Sequence, residues 1–156
     1  MGLLGDAVHA FFAADRDDHA PADRVARAST LLRNYGVASH LDPDEVALAG
    51  TRLWSWLARD LGATRLHREW PVAERLDGGT IVTGTADLVA RTDAGLVLID
   101  HKTFPGTLEA ALERLPRYSG QLATYARVIA AATGIPVASM WIHLPVLGTA
   151  VPVRLG

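Results

Sequence analysis

Hydrophobic positions in the first third of the chain recur with helical spacing. Apolar residues in 3–14 form a single stripe, which predicts a first helix. Pro21 suits the first turn of a second helix that runs toward Gly36. Residues 42–45, Asp-Pro-Asp-Glu, combine an N-cap aspartate, a proline at the first helical position and a glutamate at the third. They predict a third helix that reaches Gly62.

The spacing changes after Gly62, where short segments are separated by turn-forming residues. Three antiparallel strands in a meander are predicted at residues 65–76, 80–91 and 95–103. Helical spacing returns from residue 107, is interrupted at Pro116 and resumes over residues 118–133. Two closing strands are predicted at residues 137–145 and 150–154. This order predicts an α/β fold with a mixed central sheet flanked by helices.

Composition narrows the class of protein. With 156 residues, 49% of them hydrophobic, the chain predicts one globular domain over residues 1–156, helical over 1–62 and built on the sheet over 63–156. No apolar run approaches the roughly 20 residues of a membrane-spanning helix, and the first residues lack a basic start. We therefore expect a cytoplasmic protein with no membrane partner.

The absence of cysteine restricts the chemistry further. It excludes disulfides, thiolate zinc sites, iron–sulfur clusters and a cysteine nucleophile, so oxygen and nitrogen ligands would hold any metal. The net charge of -2 argues against nucleic-acid binding through overall basicity, although it leaves room for a local basic groove. Lys102 is the only lysine among the 15 basic residues.

The end of the third predicted strand carries an Asp-His-Lys sequence. Alternation along a strand places Asp100 and Lys102 on one face and His101 on the other. A symmetric hairpin across the turn before residue 95 sets Asp87 opposite Asp100, about 4.5–5.5 Å apart at Cβ, where like charges need a cation between them. A magnesium or manganese ion would supply that charge, and the lysine could orient or deprotonate a water molecule. The alternative is a simple strand-end ion pair between Asp100 and Lys102, with Asp87 capping a turn.

Four short segments, in this order, resemble a known family of nucleases. They are residues 5–9 (Gly-Asp-Ala-Val-His), 84–89 (Gly-Thr-Ala-Asp-Leu-Val), 98–103 (Leu-Ile-Asp-His-Lys-Thr) and 121–125 (Gln-Leu-Ala-Thr-Tyr). The set is similar to the PD-(D/E)XK superfamily, and most closely to the RecB-like exonuclease domain of UvrD/RecB-type helicase–nuclease subunits. The resemblance implies a restriction-endonuclease-like core.

The resemblance also implies roles for individual residues. The metal ligands would be His9, Asp87, Asp100 and the carbonyl of His101, with Mg²⁺ or Mn²⁺ as the ion. Catalysis would depend on Asp87, Asp100 and Lys102. On the helix after the sheet, the substrate-binding residues would be Gln121, Tyr125, Tyr118 and Arg117.

The activity that follows from the resemblance is exonucleolytic hydrolysis of DNA, at single-stranded ends supplied by a helicase in recombinational repair. The chain has no Gly-x-x-x-x-Gly-Lys-Ser/Thr phosphate loop, so a helicase motor would belong to another domain or to another protein. Two rival functions stay open. One is an inactive nuclease-fold module that binds DNA or assists assembly, and the other is an interaction domain that binds no metal.

Some residues have structural interpretations that the sequence leaves open. His9 could be a packed residue of the first helix rather than a ligand, and Tyr125 could pack on the sheet with its hydroxyl satisfied. Glu69 lies on the first strand, where the family often has an acidic residue, but it could equally be an exposed strand glutamate.

Overall fold

Three helices form the first layer of the protein, which we describe from a computed structural model covering residues 2–75 and 77–154. They are α1 (Leu3–Ala14), α2 (Pro21–Asn34) and α3 (Pro43–Arg59). The predicted cap of α3 is confirmed, because the Asp42 side chain accepts a hydrogen bond from the backbone N–H of Asp44 at 2.9 Å.

The third helix ends at Arg59, three residues before the predicted boundary. The N–H of Leu61 bonds back to the carbonyl of Trp56, and that of Ala63 bonds back to Leu57. Gly62 has a φ of 64°, the left-handed conformation that glycine adopts without steric cost. The helix therefore stops in a tight turn, and Gly62 belongs to the turn.

Five strands form one mixed sheet, as predicted. Their order in the sheet is the order in the chain: β1 (Arg65–Arg75), β2 (Ile81–Thr92), β3 (Gly95–His101), β4 (Val137–Leu144) and β5 (Thr149–Val153). Neighbouring strands are antiparallel except β3 and β4, which are parallel. That connection contains α4 (Leu108–Arg114) and α5 (Pro116–Thr133).

Several predicted boundaries need correction by one to three residues. The third strand ends at His101 instead of residue 103, and α5 begins at Pro116 because proline fits the first helical position. The fourth strand gives way to a 3₁₀ turn at Pro145–Leu147, which the sequence did not predict. Leu76, the predicted end of the first strand, lies outside the described residues.

The sheet separates two hydrophobic clusters. One packs α1, α2 and α3 against one face through side chains that include Phe12, Leu88 and Ile99. The other packs α4 and α5 against the opposite face through Leu98, Ile129 and others. Every residue of β3 is buried, so this strand forms the centre of the fold. No helix among the described residues is long and apolar enough to cross a membrane.

Candidate metal centre

The register of the β2–β3 hairpin is the one predicted from its turn. Leu88 pairs with Ile99 and Arg91 with Leu96, so Asp87 and Asp100 occupy the next positions along the two strands. The Asp87 carboxylate accepts a hydrogen bond from the backbone N–H of His101 at 2.7 Å. Asp87 is thereby held against β3, beside the Asp100-x-Lys102 sequence.

Three potential metal ligands lie close together: His9, Glu69 and Asp87. The His9 Nε2 atom, on α1, lies 3.2 Å from Glu69 Oε1 and 3.3 Å from Asp87 Oδ1. One ligand atom from each of these three residues lies within 4.8 Å of the other two. Because His9 comes from a helix and the carboxylates from two strands, the cluster joins both halves of the chain.

Glu69 reaches this cluster through an irregular backbone. Its φ is 50°, and it is the only non-glycine residue of the described chain with a positive φ. This conformation is uncommon for a residue with a side chain and often marks a functional position. In β1, Arg68 pairs with Leu88 and Trp70 with Ala86, which leaves Glu69 across from Asp87.

The second strand also changes its facing direction at this point. Ala86 packs in the hydrophobic cluster under α5, whereas Leu88, two residues later, packs in the cluster under α1 to α3. Residues two apart in a regular strand share a face, so the strand turns over around Asp87. This irregularity allows the Asp87 carboxylate to contact α1 as well as β3.

Lys102 pairs with Asp100, as the strand-end interpretation also predicted. Its Nζ atom donates a hydrogen bond to Asp100 Oδ1 at 3.0 Å and lies 2.8 Å from Oδ2. The buried Oδ2 atom nevertheless has no hydrogen bond of suitable geometry in the described structure. Lys102 Nζ also lies 5.0 Å from the ring centre of Tyr118, which places the ammonium between a carboxylate and an aromatic face.

The electrostatics of the cluster follow from its crowding of carboxylates. The hydrogen bond to Asp87 raises the pKa of His9 above its ordinary value, and the charges of Asp87 and Glu69 add to this effect against the influence of burial. Burial raises the pKa of Asp100, and the charge of Asp87 raises it further, while Lys102 acts in the opposite direction. An added cation would relieve both the carboxylate repulsion and the demand for protons.

The side chain of His101 lies on the face opposite Asp100, as alternation predicted. Its Nδ1 atom lies 3.0 Å from Nδ1 of His143, and both rings pack against Phe12 at centroid distances of 4.6 and 5.1 Å. Burial lowers the pKa of His143 to about 4 and lowers that of His101 well below its ordinary value. The sequence indicated no role for His143. The metal-ligand role of the His101 carbonyl stays a prediction.

The predicted substrate-binding residues of α5 have different surroundings. Gln121 Nε2 donates a hydrogen bond to the Tyr125 hydroxyl at 3.0 Å, and a Cβ at Gly84 would overlap that hydroxyl. Tyr125 therefore packs over β2 at Gly84, and Gly84 lies three residues before Asp87. Packing of Tyr125 on the sheet is the structural alternative that the sequence left open. Arg117 is exposed near the start of α5, and no described contact joins it to the acidic cluster. Roles of these residues in substrate binding stay predictions.

The site thus brings together His9 and Asp87 and adds Glu69, for which the sequence left two interpretations open. Asp100 lies outside this group of three, paired with Lys102, and its role as a metal ligand stays a prediction. The donor set is one imidazole nitrogen with carboxylate oxygens, which suits Mg²⁺ or Mn²⁺. Asp100 Oδ2 lies 2.8 Å from Lys102 Nζ, but burial and the charge of Asp87 still raise the pKa of Asp100, so the two aspartates favour additional positive charge. The residues present therefore fit a divalent cation.

Comparison of the sequence with known protein families identifies the family. The profile of the PD-(D/E)XK nuclease superfamily matches residues 2–148, and the chain belongs to that superfamily. Members of this superfamily generally use divalent metals, in agreement with the His9, Glu69 and Asp87 cluster. The resemblance stated from the four sequence segments is confirmed.

Three curated relatives are named as ATP-dependent helicase/nuclease subunits. The protein from Anoxybacillus flavithermus is 43% identical over 76 residues, which cover 44% of this chain and 6% of the relative. That from Carboxydothermus hydrogenoformans is 34% identical over 74 residues, or 47% of this chain and 6% of the relative. That from Levilactobacillus brevis is 30% identical over 105 residues, or 57% and 8%. The matched region is thus a small part of each relative.

Proposed function

We propose that this domain is a divalent-metal-dependent exonuclease that hydrolyses phosphodiester bonds at single-stranded DNA ends. The observation that carries the proposal is the convergence of His9, Glu69 and Asp87 beside the Asp100–Lys102 pair. Two carboxylates opposed on neighbouring strands, with a histidine and a lysine at hand, form a site that stabilises added positive charge. Membership of a nuclease superfamily makes phosphodiester hydrolysis the chemistry that such a site serves.

In this proposal His9, Glu69, Asp87 and Asp100 hold Mg²⁺ or Mn²⁺, together with the carbonyl of His101. The histidine nitrogen makes Mn²⁺ the more suitable of the two ions. The ion, when bound, supplies the positive charge that polarises a phosphodiester and acidifies a water molecule.

The residues of the chain perform the remaining tasks. Lys102 positions the attacking water and stabilises charge that develops on the phosphate, because its ammonium is a mobile donor of three hydrogen bonds. Asp100 holds that ammonium in place through the ion pair. The backbone N–H of His101 fixes the Asp87 carboxylate, which keeps the site organised before substrate arrives.

The names of the relatives support a wider setting for the activity. We propose that the domain serves as the nuclease part of a helicase–nuclease in recombinational DNA repair, with a helicase motor as its partner. The relatives are named as helicase/nuclease subunits, although the matched region spans only 6–8% of their length.

The direct test is degradation of end-labelled single-stranded DNA by this chain with Mn²⁺, Mg²⁺ or a chelator. Metal-dependent cleavage is expected for the parent and is expected to fall at least about 100-fold in Asp87→Asn and Lys102→Ala, on the scale of lost transition-state stabilisation. Asp93→Asn is the matched control, because it makes the same chemical change on the exposed turn of the same hairpin. Absence of cleavage with either metal contradicts the proposal, as does full activity of both site variants.

A further inference from the structure

A second charged region lies beside the candidate metal centre, around Arg68. Arg68 immediately precedes Glu69 on β1, and its guanidinium carbon lies 4.8 Å from the centre of the Trp54 ring. Its Nε atom is buried and has no hydrogen-bond partner in the described structure. Buried donors are rarely left without an acceptor, so this atom indicates a missing partner.

Two further arginines line the cleft that contains Arg68. Arg16, Arg65 and Arg68 line a space of about 340 Å³ between the end of α1, α3 and β1. Burial lowers the pKa of Arg68, and the nearby charge of Arg16 lowers it further, whereas the charges of Asp15, Asp17 and Asp18 act in the opposite direction. Asp17 and Asp18 line the same cleft, yet neither forms an ion pair with Arg68 among the described residues. The Nε atom of Arg68 is therefore a buried donor in this cleft that lacks an acceptor among the described residues.

An anion would supply the acceptor that Arg68 lacks. Guanidinium groups form paired hydrogen bonds with phosphate oxygens, and an aromatic face beneath the guanidinium fixes its plane. We infer that the cleft formed by Arg16, Arg65 and Arg68 binds a backbone phosphate of the DNA strand, outside the bond that is cut. This inference rests on the proposed function, since it assigns the path of the substrate past the metal centre.

The distance from the metal centre suits this assignment. Arg68 directly precedes Glu69 of the candidate metal centre in β1, and Arg16 lies two residues beyond the end of α1 at Ala14. Successive phosphates of a stacked strand are about 3.4 Å apart along its axis, so a phosphate bound by Arg68 would belong to a nucleotide near the one at the metal centre. A strand held at both places would be fixed in register.

Binding of a fluorescent 12-nucleotide oligothymidylate, measured by anisotropy in chelator between 50 and 200 mM salt, tests this inference without cleavage. We expect Arg68→Met to raise Kd about tenfold, since it removes a charged hydrogen-bond donor, and to reduce the slope of log Kd against log salt by about 0.7. Arg65→Met should change both quantities in the same direction by less, and it lies on the surface, where folding is not at risk. Arg27→Met, exposed on α2, is the matched control and should leave both unchanged.

The outcomes separate this inference from the proposed nuclease. Cleavage by the parent with unchanged Kd and salt slope in Arg68→Met and Arg65→Met overturns the phosphate cleft alone. Binding that depends on Arg68 in a protein that never cleaves DNA supports the cleft and contradicts the nuclease. No DNA binding by the parent also overturns the cleft, as does inorganic phosphate binding that requires Arg68 while DNA binding does not.

Discussion

Two buried aspartates, Asp15 and Asp87, differ in what surrounds their carboxylates. Asp15 accepts hydrogen bonds from Arg24 at 2.8 and 2.6 Å and from the Trp54 indole at 2.6 Å. Asp87 has one backbone N–H and a histidine, and further carboxylates lie beside it. The first carboxylate is neutralised by the protein itself, whereas the second lies in an excess of negative charge. This difference distinguishes a carboxylate that stabilises the fold from one suited to bind a cation.

The comparison predicts that the same substitution lowers the free energy of unfolding by very different amounts at the two positions. Asp15→Asn should lower the free energy of unfolding by about 3–5 kcal/mol, because it leaves the buried Arg24 without its counter-ion. Asp87→Asn should change it by less than about 1 kcal/mol, since the asparagine oxygen still accepts from His101 and repulsion with Asp100 falls. Urea unfolding in chelator measures both. Equal losses in the two variants would show that Asp87 is also a structural carboxylate.

The buried pair of His101 and His143 predicts that the fold loses stability in acid. In the folded protein the pKa of His143 is about 4, below the ordinary 6.5. Between these two values the unfolded chain takes up a proton that the folded protein excludes. The resulting stability is fully present above pH 6.5 and is lost as pH falls toward 4, by at most about 3 kcal/mol. His143→Gln should flatten this decline between pH 6.5 and 4, measured by urea unfolding. His40→Gln, on the surface, serves as the control, and an identical decline in His143→Gln would refute the assignment.

Glycine spacing around the Asp15 network predicts a smaller effect. A Cβ at Gly50 would lie 2.6 Å from both Arg24 Nη2 and Asp15 Oδ2, so Gly50→Ala should cost about 1–3 kcal/mol by displacing them. Gly120→Ala, on α5 with no neighbouring atom within 4 Å of its Cβ, should instead add about 0.5–1 kcal/mol. Thermal unfolding of the two variants gives the comparison. A neutral Gly50→Ala would mean that the network tolerates displacement.

The smallest predicted effect concerns Tyr118 and the Lys102 ammonium. Tyr118→Leu removes an aromatic face worth about 0.5–2 kcal/mol, so kcat should fall about 3- to 10-fold with KM unchanged. Tyr118→Phe retains the ring and should retain activity. Steady-state cleavage of single-stranded DNA separates the two parameters. A rise in KM with unchanged kcat would contradict this prediction and would support the substrate-binding role of Tyr118 that the sequence predicted.

Local signals account for what the sequence could predict. The proline and aspartate at residues 42–43 set the start of α3, and the turn at Asp93 set the register that opposes Asp87 and Asp100. A symmetric hairpin across the turn of residues 77–79, between β1 and β2, would likewise have placed Glu69 across from Asp87. That signal was present in the sequence and could have resolved the open interpretation of Glu69.

Other features depend on contacts between distant parts of the chain. His101 and His143 meet because β3 and β4 are parallel neighbours, although α4 and α5 separate them in sequence. Arg68 meets Trp54 only when α3 packs on β1. No periodicity or motif reports such contacts, so the histidine pair and the arginine cleft became visible only in the folded structure.

The central claim is that the cluster of His9, Glu69 and Asp87 binds a divalent cation, and calorimetric titration of the chain with Mn²⁺ tests it most directly. The account predicts binding that weakens at least about tenfold in both Asp87→Asn and Glu69→Gln, and that is unchanged in Asp93→Asn. Because the ion needs His9 unprotonated and its pKa is raised, affinity should also fall as pH drops through a value above 6.5. Absence of Mn²⁺ binding, or binding indifferent to Asp87 and Glu69, would contradict the account.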